Sequence, residues 1–279
     1  MNRQNRSQLA EETLTILQSG VYATSRGIEV SISDAVATSC EGTELFFPED
    51  YPAMLERVGN SPTLSETVIS VSNRTTLQAG HDFYQRFGQV ACLNFASAKN
   101  PGGGFLSGSQ AQEESLARAS GLYATLQPQT GYYDFHRHCG TCIYSDRAIY
   151  SPGVPVFRDD SGQLLQRPWT CDFITAAAVN AGAVRRNEPG REGDIVPLME
   201  QRTRVVLSIA ISKGCRNLVL GAWGCGVFQN DPATIAGVFA RVLEESSFKN
   251  RFENLEFAVL DGSAAKPTFR AFEEQFSSA

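Results

Sequence analysis

Residues 94–114 read NFASAKNPGGGFLSGSQAQEE and follow directly on the apolar run QVACLNF (89–95). Three consecutive glycines leave the main chain bare enough for close approach and free to adopt positive φ. Such a segment also exposes successive N–H groups to an anion or a sugar. In an open α/β sheet, ligands bind beyond the carboxyl ends of strands, where loops and helix N-termini converge. A strand, a glycine loop and a Gln-Glu-Glu triplet at a helix start therefore predict both a sheet sandwiched by helices and a site at its edge.

Outward from this stretch the same rhythm recurs. Apolar runs at 67–71, 89–95, 172–179, 217–223 and 255–261 lack polar alternation, as strands covered on both faces do. Helical patterns separate them at Thr75–Arg86, Gln112–Thr125, Pro197–Lys213, Pro232–Glu245 and Pro267–Gln275, and a proline in the first turn suits three of these. The expectation is a mixed or parallel sheet between helical layers. Before it, residues 7–19 predict a helix capped by Ser7 and ended by Gly20, and 21–32 predict a hairpin turning at Ser25-Arg26-Gly27. We divide the chain into an N-terminal extension, 1–66, packed on a core, 67–279. Residues 127–167 are the least regular part, and Pro152 and Pro155 suit an edge or a loop there.

The composition narrows the function. A net charge of −6 and a pI near 5.2 argue against a surface that coats nucleic acid, so a polyanionic ligand would rest on backbone amides and a small local patch. No apolar run is long enough to span a bilayer, and acidic residues occupy the place of a signal peptide's apolar centre. Seven cysteines, several of them in apolar runs, fit a reducing compartment, and the chain is expected to be cytoplasmic.

Glu113 and Glu114 at a helix start satisfy the helix dipole, and capping alone explains one of them. A carboxyl desolvated beside another carboxylate resists ionisation and can act as a general acid near neutral pH. Glycosidic cleavage needs such an acid and a negative field near the developing oxocarbenium ion. A second glycine loop, GAWGCGVFQNDP (221–232), joins an apolar run to a helix and suits a phosphate, although it lacks the spacing of a dinucleotide fingerprint. Phe228 in it could wall in a sugar or pack as core. Together the two loops suggest a cleft for a phosphorylated sugar.

The triple glycine 102–104 followed by Gln112-Glu113-Glu114, with NFASAKNPGGG, YSPGVPVFRDD (150–160), DFITAAAVNAG (172–182) and the second loop, resembles the microbial-type poly(ADP-ribose) glycohydrolases of the macrodomain superfamily. The resemblance implies a three-layer α/β/α macrodomain with a mixed central sheet and an N-terminal helical extension. It implies hydrolysis of ribose–ribose O-glycosidic bonds of poly(ADP-ribose) from the chain terminus, releasing ADP-ribose, with ADP-ribosylated proteins as indirect substrates. Glu114 would be the catalytic acid/base, Glu113 would hold ribose hydroxyls, and Gln112 would orient the loop. Gly102, Gly103 and Gly104 would wrap the diphosphate and distal ribose, which Asn100 and Asn94 would contact. Gly224, Gly226, Val227 and Phe228 would form the second diphosphate loop. Asn73 and Thr75 are adenine-side candidates by position. A monomer without metal or cofactor is implied, in the reversal of ADP-ribosylation that includes the DNA damage response.

Other readings stay open on sequence. The alternatives are a macrodomain that binds ADP-ribose without cleaving it, and one that acts on mono-ADP-ribosyl groups or other ADP-ribose derivatives. His136, His138, Cys139 and Cys142 crowd zinc-type donors into one segment with no second cluster. Cys225 is a candidate nucleophile without a sequence-near histidine, and Arg185, Arg186 and Arg191 fall in a connection best read as solvated.

Overall fold

The computed structural model describes residues 1–60 and 62–276. Nine strands occur there: β1 (Val21–Ala23), β2 (Glu29–Ser31), β3 (Glu44–Phe46), β4 (Val68–Ser72), β5 (Ala91–Phe95), β6 (Ala148–Arg158), β7 (Leu164–Ala176), β8 (Asn217–Leu220) and β9 (Asn254–Ala258). β1 and β2 form the expected hairpin, and the other seven form one sheet in the order β3-β6-β7-β5-β8-β9-β4. The run from β7 to β4 is parallel, whereas β6 is antiparallel to both β7 and β3, so the sheet is mixed.

The helices are α1 (Arg3–Ser19), α2 (Ser33–Glu41), α3 (Tyr51–Gly59), α4 (Thr76–Phe87), α5 (Gln112–Ala119), α6 (Leu122–Leu126), α7 (Thr130–His138), α8 (Ala181–Asn187), α9 (Ile195–Ser212), α10 (Pro232–Leu243) and α11 (Pro267–Phe276). Strand residues alternate between two apolar faces. Leu93, Leu218 and Leu220 pack with α3, α9 and α10, while Cys92, Val219 and Phe173 pack with α4, α5, α6 and α7. Both faces of the central parallel strands β5, β8 and β9 are thus buried, the condition their apolar runs foretell, and each large side chain so buried contributes about 1.5–3 kcal/mol; the parallel edge strand β4 stays partly exposed. The result is the three-layer α/β/α arrangement.

Several expectations are corrected. α1 begins earlier, because the Asn2 side chain accepts from Asn5 N–H at 2.8 Å and caps it, while Ser7 Oγ donates to Leu106 O at 2.7 Å. The helix expected over Gln112–Thr125 breaks at Ser120, whose extended backbone bridges to Val156. The segment 127–167 holds α7 and the long β6, a strand inside the sheet. β3 pairs with β6 only through Ala148–Tyr150, so Pro152 and Pro155 fall where β6 is an edge, and a bulge between Ser151 and Val154 accommodates Gly153 at φ +56. Residues before 67 also reach the main core, since β3 is an edge of the sheet and Tyr51, Met54 and Val58 pack against the α9 side.

Candidate active site

β5 ends against α5, and the N-terminal side chain of that helix fastens the two. Gln112 Oε1 accepts from Phe95 N–H at 2.8 Å, and its Nε2 donates to Leu93 O at 2.7 Å and Thr76 Oγ1 at 3.2 Å. These bonds fix the azimuth of α5 and so the aim of the next two residues. Glu113 turns inward and is only 2% exposed: its Oε2 accepts from Ser97 N–H at 2.6 Å and its Oε1 from Asn94 Nδ2 at 3.3 Å. Glu114 lies at the cleft wall, where its Oε1 accepts from Gly104 N–H at 2.9 Å.

The glycines are required by geometry. Gly102 and Gly103 have φ of +67° and +61°, a region that costs a residue with a Cβ about 1–2 kcal/mol. A Cβ at Gly103 would run into the Glu114 carboxylate, and one at Gly102 would come within 2.9 Å of the Phe105 ring. α1 holds the far side of this loop. Arg3 Nε donates to Ser107 O at 2.9 Å, Arg6 Nε to Gly108 O at 2.8 Å, and Thr13 Oγ1 to Arg118 O at 2.7 Å.

Burial pushes the Glu113 carboxyl up to about 8, its hydrogen bonds from Ser97 and Asn94 oppose that, and the neighbouring Glu114 adds to it. Near neutral pH Glu113 is therefore predominantly protonated. Asn94 Oδ1 is buried without a partner among the described residues, and a 180° turn of that amide would set it to accept the Glu113 proton.

The opposite wall is the loop after β8. Asn230 pins it from below, with Nδ2 donating to Val179 O at 2.8 Å and Gly224 O at 3.1 Å. Gly224 has φ +75°, and a Cβ there would stand 2.6 Å from Asn230 Nδ2. Among the described residues no protein acceptor takes the amides of Gly224, Gly226, Val227 or Phe228. Val227, 78% exposed, and Phe228, whose ring lies 5.9 Å from that of Tyr144, stand at the rim. The helix N-terminus expected to help hold phosphate faces elsewhere. Asp231 caps α10 by accepting from Thr234 N–H at 3.2 Å, and both residues line a separate cavity.

Between the walls lies a cleft of about 670 Å³. It brings together Asn100, Gly103, Gly104, Gln112, Glu113, Glu114, Gly224, Gly226, Val227 and Phe228 of the residues singled out from sequence. Gly102 lies buried behind the loop. Asn94 is the correction: fully buried, it spends its amide on Glu113 and, at 3.2 Å, on Thr175 Oγ1, and so supports Glu113 from beneath instead of facing a ligand. Of the adenine-side candidates, Thr75 lines the cleft, whereas Asn73 ties β4 to β9 through Asp261, donating to its O at 3.1 Å and accepting from its N–H at 2.9 Å. Sequence reasoning missed Arg74 between β4 and α4, Asp160 between β6 and β7, Leu260 after β9 and Thr268 in the first turn of α11. Only Arg74 carried a signal, a buried Glu256 inside an otherwise apolar strand, to which its Nε and Nη2 donate at 2.7 and 2.6 Å.

The remaining candidates are not assembled. His136 is buried, its Nε2 shares a 2.8 Å hydrogen bond with Ser145 Oγ, and burial lowers it to about 4. His138 is exposed at the end of α7, and among the described residues no group of three or more His, Cys, Asp or Glu side chains is placed to hold a metal. Burial pushes the Cys225 thiol up to about 12, the reverse of an activated thiolate. Arg185 Nη1 donates to Gln229 O at 3.1 Å beside the second loop, and Arg191 is paired with Glu188 and Asp194.

Two glycine loops at the carboxyl ends of adjacent parallel strands, with a glutamate pair between them, define a macrodomain-type nucleotide-sugar site. The family description microbial-type PARG, catalytic domain, matches residues 10–159. The chain is similar to the crystal structure of poly(ADP-ribose) glycohydrolase from Thermomonospora curvata, at 46% identity and a TM-score of 0.93, over 98% of this chain and 100% of that one. The same enzyme bound to the inhibitor ADP-HPD gives 45% and 0.91 over the same shares. The enzyme from Deinococcus radiodurans in complex with ADP-ribose gives 44% and 0.83, over 87% of this chain and 97% of that one. Comparison with curated proteins gives no match. This chain belongs to the microbial-type poly(ADP-ribose) glycohydrolases.

Proposed function

We propose that this protein hydrolyses the ribose–ribose O-glycosidic bonds of poly(ADP-ribose) from the chain terminus and releases ADP-ribose. The observation that carries this is the pair of glutamates set at two depths against a bare glycine loop, Glu113 in the cleft floor and Glu114 on its wall. In this reading the amides of Gly224, Gly226, Val227 and Phe228 hold the diphosphate. Gly103 and Gly104, with Asn100, enclose the distal ribose.

Glu114 gives its proton to the bridging oxygen as the C1″–O bond breaks, and the pair of electrons leaves with the ribose hydroxyl so formed. Water then adds to the oxocarbenium carbon while Glu114 takes back a proton. Glu113, held protonated by burial, hydrogen-bonds ribose hydroxyls. Gln112 and Asn94 position the pair.

Wild-type protein incubated with the polymer should release monomeric ADP-ribose. Glu114→Gln should lower kcat by about 10²–10⁴ while still binding ADP-ribose, the range general acid–base groups supply. Wild-type protein that binds ADP-ribose yet releases none from the polymer would make the chain a reader instead. Seven unpaired cysteines support a reducing, cytoplasmic setting, in which ADP-ribosylated proteins, including those formed after DNA damage, present the polymer.

A further inference from the structure

A second cavity, of about 250 Å³, opens beside the cleft and shares Leu77, Gln110, Ser115 and Asp160 with it. Three guanidinium groups line it: Arg6 from α1, Arg118 from α5 and Arg158 from β6. Arg158 has a counter-charge, since its Nη2 donates to Glu12 Oε2 at 2.9 Å, yet its buried Nε has no partner among the described residues. Arg118 and Arg6 are different. Arg118 donates to Ser109 O at 2.8 Å, to Gln110 Oε1 and to Ser115 Oγ, and Arg6 to Gly108 O and, at 2.7 Å, to Met1 O. All of these acceptors are neutral, and among the described residues neither guanidinium has a carboxylate within ion-pair distance.

Arg118 is 6% exposed, and a buried cation without a paired anion is costly unless something else supplies the charge. Burial lowers its pKa to about 10; Glu114 acts against that and Arg6 in favour of it. The carboxylates in the wall are engaged elsewhere. Asp159 Oδ1 accepts from the amides of Ser161 and Gln163, and Asp160 Oδ2 accepts from Thr75 Oγ1 at 2.7 Å. The cavity holds the space of about eight liquid waters at ~30 Å³ each, enough for a diphosphate.

Its position gives the ligand. Arg118 follows Glu114 by four residues on the same face of α5, and Gln110 and Ser115, which border both cavities, flank Glu114 in sequence. The bond broken in the proposed reaction joins the terminal unit to a ribose hydroxyl of the next unit. The diphosphate of that next unit hangs from the same ribose, so a group departing past Glu114 carries two phosphates toward the arginines.

We propose that the Arg6–Arg118–Arg158 cavity is the subsite for the diphosphate of the ADP-ribose unit on the leaving side of the scissile bond, a reading that rests on the proposed glycohydrolase activity. The test compares two substrates sharing one terminal unit: an ADP-ribose dimer, and ADP-ribose carrying 4-nitrophenol at C1″, which lacks the second diphosphate. For Arg6→Gln the ratio of kcat/KM on the dimer to that on the aryl substrate should fall about tenfold, as loss of one charge-assisted phosphate contact predicts. Arg6→Lys, which keeps the charge, should recover most of the ratio. Rising KCl should depress the wild-type ratio more steeply than that of Arg6→Gln. A ratio unchanged in Arg6→Gln, or lowered equally by Lys and Gln, overturns the subsite. Absence of any dimer cleavage by the wild type strikes the glycohydrolase reading itself, which separates the two failures.

Discussion

Replacing Glu113 by Gln should change how the stability of the whole protein depends on pH. Below its ordinary value of 4.5 the carboxyl is protonated in folded and unfolded chains alike. Between there and about 8 only the unfolded chain releases the proton, so the folded state loses stability as pH rises; above about 8 the loss is complete. Each pH unit in that window removes about 1.4 kcal/mol, so from pH 5 to pH 8 the wild type should lose about 4 kcal/mol through this one group. Glutamine matches the shape and has no proton to lose. Its carbonyl can accept from Ser97 N–H, and its amide can donate to the unpartnered Asn94 Oδ1 once that side chain turns.

The assay is urea unfolding of both proteins at pH 5 and pH 8, with the difference in unfolding free energy taken at each. The variant should gain about 4 kcal/mol on the wild type between the two conditions. A change below about 1 kcal/mol would mean that the Glu113 carboxyl is not held protonated, and the account of the buried pair would fail.

Two further substitutions test the frame around the pair. Gly103→Ala forces a Cβ into the Glu114 carboxylate at φ +61° and should destabilise by about 1–3 kcal/mol. It should also cut kcat on the polymer far more than a Gly88→Ala control, at φ +75° with open space around the added Cβ; equal kcat in the two would refute the close approach. Gln112→Ala removes two hydrogen bonds between α5 and β5 and one to Thr76 of α4, and should cost about 2–3 kcal/mol in chemical denaturation, with a drop in kcat larger than any rise in KM.

The parallel half of the sheet was legible because strands buried on both faces lack the polar alternation of a half-exposed strand, as Ala91–Phe95 and Asn217–Leu220 show. The glycine loop was legible because its φ values and its contact with Glu114 exclude side chains, a constraint written directly into residue type. β6 was not, because its prolines are permitted only by where β3 stops pairing, a fact of the tertiary structure. The three-residue β3 is too short to show a period. Asn94 was sited wrongly because a polar residue at a strand end can face the ligand or the residue beneath it, and sequence position is the same for both. Leu260 and Thr268 stand at the cleft only because β9 is a neighbour of β8, which no local pattern encodes.

The clasp between α1 and the turn after the glycines ties the packing of the fold and the aim of Glu114 to one helix. Arg3, Arg6 and Ser7 satisfy three successive carbonyls, those of Ser107, Gly108 and Leu106, from a helix that lies outside the seven-stranded sheet. A bulky tag or a proteolytic cut that draws this helix away would slacken the turn that aims Glu114 and at the same time uncover Phe105, Ala117 and Phe157, which pack against Ala10 and Ile16. Damage at α1 should therefore register in thermal melting and in turnover together.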